Sequence, residues 1–181
     1  RISKIQQMAA DEFLSASSLD IIDMLKTEQA LTGIIFSELA MPNYLDFECL
    51  GTVKFDVYVA KNHSLAKLKC QNIDGLRLHR QLLIRSRNTQ TSSFQLKISP
   101  DIWYADNYFL LLELALKGHG WCLLPNHVAD ESIERGELVK LTLEHGDMGW
   151  HANVDVLQHQ RHSNLAIFRT LRNLLRNRLK P

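Results

Sequence analysis

The sequence lacks the features that would place it in several protein classes. Its three cysteines are far apart and include no CxxC pair, so their spacing predicts neither a disulfide framework nor a zinc site. No run of about 18 consecutive apolar residues occurs, and the first residues include acidic side chains where a secretory signal peptide is apolar. We therefore expect a cytoplasmic protein without membrane contact.

The sequence also has few glycines and prolines and almost no net charge. The 181 residues include 8 glycines and 4 prolines, and 21 basic against 20 acidic residues give a net charge of +1. This composition is close to the average of globular proteins, which excludes a disordered chain or a fibre. A chain of this length buries a core without a structural metal. The near-neutral charge gives this chain no electrostatic reason to bind nucleic acid by itself.

Catalytic and metal-binding signatures are also missing. The sequence has no GxSxG motif, no phosphate-binding P-loop and no HExxH motif. Among its eight histidines the nearest pairs are His159 with His162 and His145 with His151, and neither is followed by a third ligand at zinc-like spacing. We expect no enzymatic activity, no metal and no cofactor.

What the sequence does contain is an alternation of short β-rich runs and helical patterns, which predicts an α/β fold with a largely parallel sheet. Residues 4–10 read as the end of a helix and residues 11–16 as a strand, and the next helix begins after Ser17 or Ser18. The apolar run 31–36 predicts a strand buried on both faces. Further strands are predicted at residues 55–60, 81–86, 102–105, 121–125 and 153–157, with helices before Gly118, before Gly136 and over 164–179.

Several short motifs occur in a characteristic order. In residues 102–141 a helix runs into Gly118-x-Gly120, an apolar strand ends at Pro125, and a short helix leads into Gly136. Upstream are FDVYVAKNHSLA at residues 55–66 and LTGIIFSE at residues 31–38. In this register the chain resembles the effector-binding domain of LysR-type transcriptional regulators, with a serine at 64 and a threonine at 32 where the family usually has proline and an acid.

The resemblance implies a periplasmic-binding-protein-like fold, in which two Rossmann-like lobes are joined by two crossover strands. Residues 1–56 and 156–181 would form lobe I, and residues 57–155 would form lobe II. A small effector would lie between the lobes, and closure around it would act as a two-state switch. The resemblance also implies a homodimer or homotetramer. DNA would be bound through an N-terminal winged helix-turn-helix that is absent from this chain. Part of the ligand site is also expected to lie upstream of Arg1.

The resemblance assigns the effector contacts to polar residues at the ends of strands and the starts of helices, where α/β folds bind ligands. A hydroxyl is expected at the end of the first apolar strand, a ligand loop after QLLIRS, and further contacts where two helices begin. The candidate residues are Ser17, Ser37, Arg85, Asn88, Thr89, Thr91, Asp106, Asn107 and Tyr108.

For several candidates a structural role explains the residue equally well or better. Ser17 and Asp106 stand where helix N-caps are common. Arg85 can be a solvated surface charge or can bind an anion, and Ser37 and Thr89 fit a structural and a functional role equally. These alternatives stay open on the sequence alone.

A small carboxylate is one candidate effector, because helix N-terminal amides and hydroxyls can hold it in a neutral cleft. The acidic side chain of Asp106 would oppose such a ligand. The alternative class is a solute-binding protein of a transport system, which has the same fold and would need an export signal or lipid anchor upstream of Arg1.

Overall fold

The computed structural model describes residues 13–37, 41–67, 71–90, 95–144 and 148–178. Within these ranges the strands are β1 (Thr32–Phe36), β2 (Leu45–Ala60), β3 (Gln81–Ile84), β4 (Ile102–Ala105), β5 (Trp121–Pro125), β6 (Leu138–Lys140) and β7 (Trp150–His159). The helices are α1 (Ser18–Lys26), α2 (Ile73–Arg77), α3 (Tyr108–Leu116), α4 (Asn126–Glu134), α5 (Gln160–Ser163) and α6 (Ala166–Arg178). The α/β class predicted from the sequence is confirmed.

The strands form one mixed sheet in the order β1-β7-β2-β5-β3-β4, with β6 also paired to β2. The prediction of a largely parallel sheet is wrong, because only β3 is parallel to its neighbours β4 and β5. The long strands β2 and β7 run antiparallel to each other and to their other partners. Their ladder extends from Leu45 opposite His159 to Phe55 opposite Trp150 and is interrupted by a bulge at residues 49–51.

Two strand predictions need further correction. β1 forms, but its Ile34 is 46% exposed, so the strand is not buried on both faces. The reason is that α1 covers the face that carries Gly33 and Ile35, whereas Ile34 lies on the opposite face. Residues 13–16 form no strand, and the rest of the predicted strand at 11–16 and the helix end at 4–10 lie outside the described residues.

The core divides into groups at the two ends of the β2–β7 ladder. At one end α1 packs Ile22 and Leu25 against Ile35, Leu45 and Leu157. At the other end α3, α4 and the strands β3 and β5 surround a larger apolar group, whose fully buried members include Leu82, Leu124, Ala115 and Ala129. Each fully buried leucine contributes about 1.5–3 kcal/mol.

Two glycines end helices as predicted. Gly118 follows α3 with φ +76°, and its N–H donates to the carbonyl of Ala115 at 2.8 Å. Gly136 follows α4 with φ +66°. Both adopt the left-handed conformation that glycine enters without a side-chain penalty. The two turns return the chain to the sheet, so that β5 and β6 can pair with β2.

Candidate functional site

The carboxyl ends of β1 and β3 lie close to the first turns of α1 and α3. The ring of Phe36, the last residue of β1, has its centroid 5.4 Å from that of Tyr108, the first residue of α3. Both rings contact Phe55 in β2, at 4.9 Å and 5.6 Å, and Phe55 stacks on Trp150 at 4.9 Å. An aromatic floor therefore joins residues that are distant in sequence. We use the name cleft for the region bounded by these rings, the first turns of α1 and α3 and the loop after β3, where several of the candidate residues meet.

The first turn of α1 forms one edge of the cleft. Ser17 is the N-cap of α1: its Oγ accepts the N–H of Asp20 at 3.2 Å and donates to Asp20 Oδ2 at 2.7 Å. Ser17 therefore has the structural role of a helix cap, which the sequence analysis gave as the alternative to effector contact. The carboxylate of Asp20, which is 5% exposed, also accepts the backbone N–H of Arg87 at 2.9 and 3.2 Å. This bond joins α1 to the loop after β3.

That loop is held in a tight turn opposite α1. Asn88 Nδ2 donates to Asp23 Oδ2 at 2.8 Å, which adds a second bond between the loop and α1. Thr89 has φ +64°, and its N–H donates to the carbonyl of Ser86 at 2.9 Å. The side chain of Thr89 is exposed. The structure thus brings Ser17, Asn88 and Thr89 to one region, while Thr91 lies outside the described residues.

Ser37 follows β1 and is held by β7. Its N–H donates to the carbonyl of Asn153 at 3.0 Å, and its Oγ donates to the carboxylate of Asp155. Asp155 is 4% exposed. The hydroxyl beside the aromatic floor is therefore oriented by a buried acid, a partner that the sequence analysis did not include.

The start of α3 forms the opposite edge of the cleft. Asn107, not Asp106, is the N-cap: its Oδ1 accepts the N–H of Leu110 at 2.9 Å, and its Nδ2 donates to Asp106 Oδ1 at 2.9 Å. The capping alternative for Asp106 is wrong for this reason. The free side of the Asp106 carboxylate faces the Arg87 guanidinium at 3.5 Å.

Tyr108 is fixed by a glutamine that the sequence analysis missed. The phenol oxygen of Tyr108 accepts from Gln95 Nε2 at 3.3 Å, and Gln95 Oε1 accepts the N–H of Ile84 at 2.8 Å. Gln95 is 7% exposed and lies in an irregular segment. No local pattern in the sequence marks it, because its role depends on contacts with β3 and α3.

Arg85 is not brought into this group by its side chain. Its guanidinium carbon lies 4.0 Å from the ring centroid of Tyr104 in β4, a cation–π contact on the last strand of the sheet. The arginine beside the acidic groups of the cleft is Arg87, through its backbone and its guanidinium. The sequence analysis named Arg85 from this loop, whereas the structure places Arg87 beside the acidic groups.

The described residues show neither a metal cluster nor a helix suited to span a membrane. They contain no group of three or more histidine, cysteine or acidic side chains arranged to hold a metal ion. None of their helices combines the length and apolar content needed to cross a bilayer. Burial raises the pKa of the Cys122 thiol, which makes it a poor nucleophile.

The fold and the cleft define an α/β ligand-binding domain, and comparison with known proteins specifies which one. The family model of the LysR substrate binding domain matches residues 12–180. The chain therefore belongs to this family, and it is the effector-binding domain of a LysR-type regulator with a periplasmic-binding-protein-like fold.

Two curated relatives are full-length regulators. The multiple virulence factor regulator MvfR of Pseudomonas aeruginosa is 28% identical over 128 residues, covering 70% of this chain and 38% of MvfR. The HTH-type transcriptional regulator AceR of Acinetobacter baumannii is 25% identical over 127 residues, covering 70% of this chain and 42% of AceR. The chain thus spans about two-fifths of the length of these relatives.

Among solved structures, the effector-binding domain of QuiR in complex with shikimate superposes with a TM-score of 0.66 at 16% identity. The match covers 92% of this chain and 80% of the QuiR chain. At this identity the similarity supports the fold, and what QuiR binds is a property of QuiR.

Proposed function

We propose that the cleft binds a small effector and that binding controls a DNA-binding domain elsewhere in the parent protein. The observation that carries this proposal is the pair of bonds from α1 to the loop after β3, Asp20 to the Arg87 N–H and Asp23 to Asn88. These two bonds join the two groups of core residues across the cleft. A molecule that enters between α1 and the loop must therefore change the separation of the two groups. An effector that binds one separation more tightly than the other would shift the equilibrium between the two states, as a two-state switch requires.

The proposed lobes are residues 1–56 with 156–181, and residues 57–155. The separate core groups around Leu25 and around Leu124 support this division, since β2 contributes Leu45 to the first and Tyr58 to the second. The proposed effector contacts are Ser17, Ser37, Asn88, Thr89, Thr91, Asp106, Asn107 and Tyr108, with Arg85 as the weakest member because it stacks on Tyr104. The carboxylate effector suggested by the sequence stays a prediction.

A homodimer or homotetramer with a cytoplasmic, DNA-binding parent is part of the same proposal. Exposed apolar side chains on α3 and on β1 support an interface: Phe109 is 64% exposed, Leu110 46% and Ile34 46%. Both elements lie on the outside of the described structure, one from each proposed lobe. An antiparallel pair of chains would cover them together.

The test of effector binding is a thermal-shift screen of small molecules, followed by titration of each hit against Thr89→Val. The exposed hydroxyl of Thr89 lies at the cleft, so its loss should weaken a true effector about tenfold, the effect of about one hydrogen bond. Thr52→Val removes an exposed hydroxyl from β2 and is the matched control. A hit that both variants bind equally well would place the ligand elsewhere.

The regulatory part is tested in the full-length parent protein. Operator affinity should change when a confirmed effector is added, and the change should disappear with Thr89→Val while Thr52→Val retains it. An operator affinity that is independent of the effector in all three proteins would contradict the switch.

A further inference from the structure

Four hydrogen-bond donors of the cleft share one property: each is already paired with a carboxylate of this chain. Ser17 Oγ donates to Asp20 at 2.7 Å, Asn88 Nδ2 to Asp23 at 2.8 Å, Asn107 Nδ2 to Asp106 at 2.9 Å, and Ser37 Oγ to Asp155. These four donors were candidates for holding an effector carboxylate. In the structure the carboxylates that they bind belong to this chain.

The two serines have no further proton to offer. A hydroxyl has one O–H donor and two acceptor lone pairs. Both acceptors near Ser37 Oγ, the Asp155 carboxylate and the Asn153 carbonyl at 3.5 Å, compete for its one proton. Toward a ligand Ser37 therefore presents lone pairs, which bind a donor and repel an anion.

Asp20 supplies a negative charge at the start of α1. It lies in the first turn of α1, where the helix dipole and free amides favour negative charge. Its carboxylate accepts hydrogen bonds from the Ser17 hydroxyl and the Arg87 N–H, and the residue is only 5% exposed. An incoming carboxylate would have to displace it and would meet its charge.

The neighbouring charges reinforce this effect. Asp23 and Asp106 flank the same loop, and Asp155 lies beneath Ser37. The Arg87 guanidinium lies 3.5 Å from Asp106 and its side chain is 62% exposed. Asp20 and Asp155 are buried, so water screens their charges least and they disfavour a further anion.

We propose that Asp20 is a specificity-determining residue of the cleft, whose carboxylate fills the anion position between α1 and the Arg87 amide and so excludes anionic effectors. The cleft then takes a small molecule without negative charge that donates hydrogen bonds to Ser37 and the surrounding acids. This inference rests on the proposed effector function and names the chemical class of its ligand.

The experiment is chemical rescue of Asp20→Ala by formate, in the full 181-residue chain. The truncation removes a carboxylate and leaves its donors unpaired, so free formate at about 0.1 M should raise the Tm of the variant by about 4 °C relative to sodium chloride at the same concentration. Wild type should show no formate-specific shift. Asp74→Ala, which removes an 88% exposed carboxylate from α2, is the matched control and should behave as wild type.

Two results would overturn the proposal: no formate-specific shift in Asp20→Ala, or an equal shift in wild type. If Asp20→Ala does not fold, the isosteric Asp20→Asn is used with amide hydrogen exchange. A neutral acceptor is weaker, so exchange at the Arg87 N–H should accelerate about tenfold, while the Thr89 N–H, which donates to Ser86, should not change. An unchanged Arg87 rate in this variant would also reject the assignment.

These outcomes are separate from the test of the proposed function. Formate rescue needs neither the natural effector nor DNA. If rescue fails while the effector screen yields a ligand sensitive to Thr89→Val, the sensor function stands and the assignment of Asp20 is wrong. If rescue succeeds while no ligand binds the cleft, Asp20 fills an anion position and the sensor function lacks support.

Discussion

Lys140 Nζ lies 2.8 Å from Asp56 Oδ2, and the Asp56 side chain is fully buried. A second lysine, Lys54, lies 3.4 Å from the other carboxylate oxygen. Both lysines are partly exposed, at 45% and 36% of their side-chain surface, so water can solvate them when the acid is neutral or absent. The buried partner has no such alternative, which makes the pair energetically asymmetric.

Lys140→Met should therefore reduce the free energy of unfolding by about 2 kcal/mol, because it leaves the buried Asp56 carboxylate with one partner. Arg135→Met breaks an exposed pair with Glu131 in α4 and should change it by less than about 0.5 kcal/mol. Urea unfolding of both variants measures the difference. Equal losses would mean that burial of Asp56 adds nothing to its ion pair.

Glycine substitutions should differ in size according to what a Cβ would meet. At Gly120 it would lie 2.3 Å from the carbonyl oxygen of Arg80, and backbone cannot move aside cheaply. At Gly118 the space is open, and the φ of +76° is the only obstacle. Gly120→Ala should cost about 3 kcal/mol and Gly118→Ala about 1 kcal/mol. The prediction fails if thermal unfolding ranks the two variants in the opposite order.

Acid should weaken the fold through His63. Burial, and secondly the nearby His79, lower the pKa of His63, and its Nδ1 accepts the N–H of Leu65 at 3.2 Å, which requires an unprotonated nitrogen. The unfolded chain binds a proton at a higher pH than the folded chain, so stability falls as pH decreases through the ordinary histidine range near 6.5.

His63→Asn should reduce that decrease, as measured by Tm between about pH 7.5 and pH 5.5. His127→Asn changes an exposed histidine of α4 and should leave the pH profile as in wild type. A wild-type profile in His63→Asn would show that other groups cause the acid sensitivity.

Self-association should depend on the outer face of α3. Phe109→Asp replaces a ring that is 64% exposed with a charge, so it should shift a dimer to monomer in analytical ultracentrifugation. Leu78→Asp introduces the same charge at a leucine that is 83% exposed near α2 and should leave association unchanged. A dimer that persists in Phe109→Asp would exclude this face as the interface.

The local parts of the fold could be predicted from the sequence because local chemistry determines them. Ser17 starts α1 by capping its first amides, and Gly118 ends α3 by its left-handed conformation. The first half of β2 escaped prediction because polar and half-exposed residues alternate there without an apolar run. The direction of strand pairing also escaped, since it depends on ladders such as Leu45 with His159, which are remote in sequence.

The candidate site shows the same limit. From the sequence, polar residues after apolar strands and at helix starts could be named, and the structure brings several of them to one region. Sequence reasoning could not pair Asp20 with the Arg87 amide, which is 67 residues away, or Ser37 with Asp155, which is 118 residues away. The hydroxyls of Ser17 and Ser37 therefore already donate their protons to carboxylates of this chain.

The stacked pair of Phe55 and Trp150 at the floor of the cleft gives the protein an intrinsic optical reporter. The chain has three tryptophans. Trp121 is fully buried and bonded through its indole N–H to the Leu76 carbonyl, and Trp103 lies on the remote strand β4. Trp150 alone among them stacks, at 4.9 Å, on a ring that contacts both Phe36 and Tyr108. A change in the spacing of those two rings would alter the surroundings of the Trp150 indole, so we expect its fluorescence to report the proposed opening and closing without an attached dye.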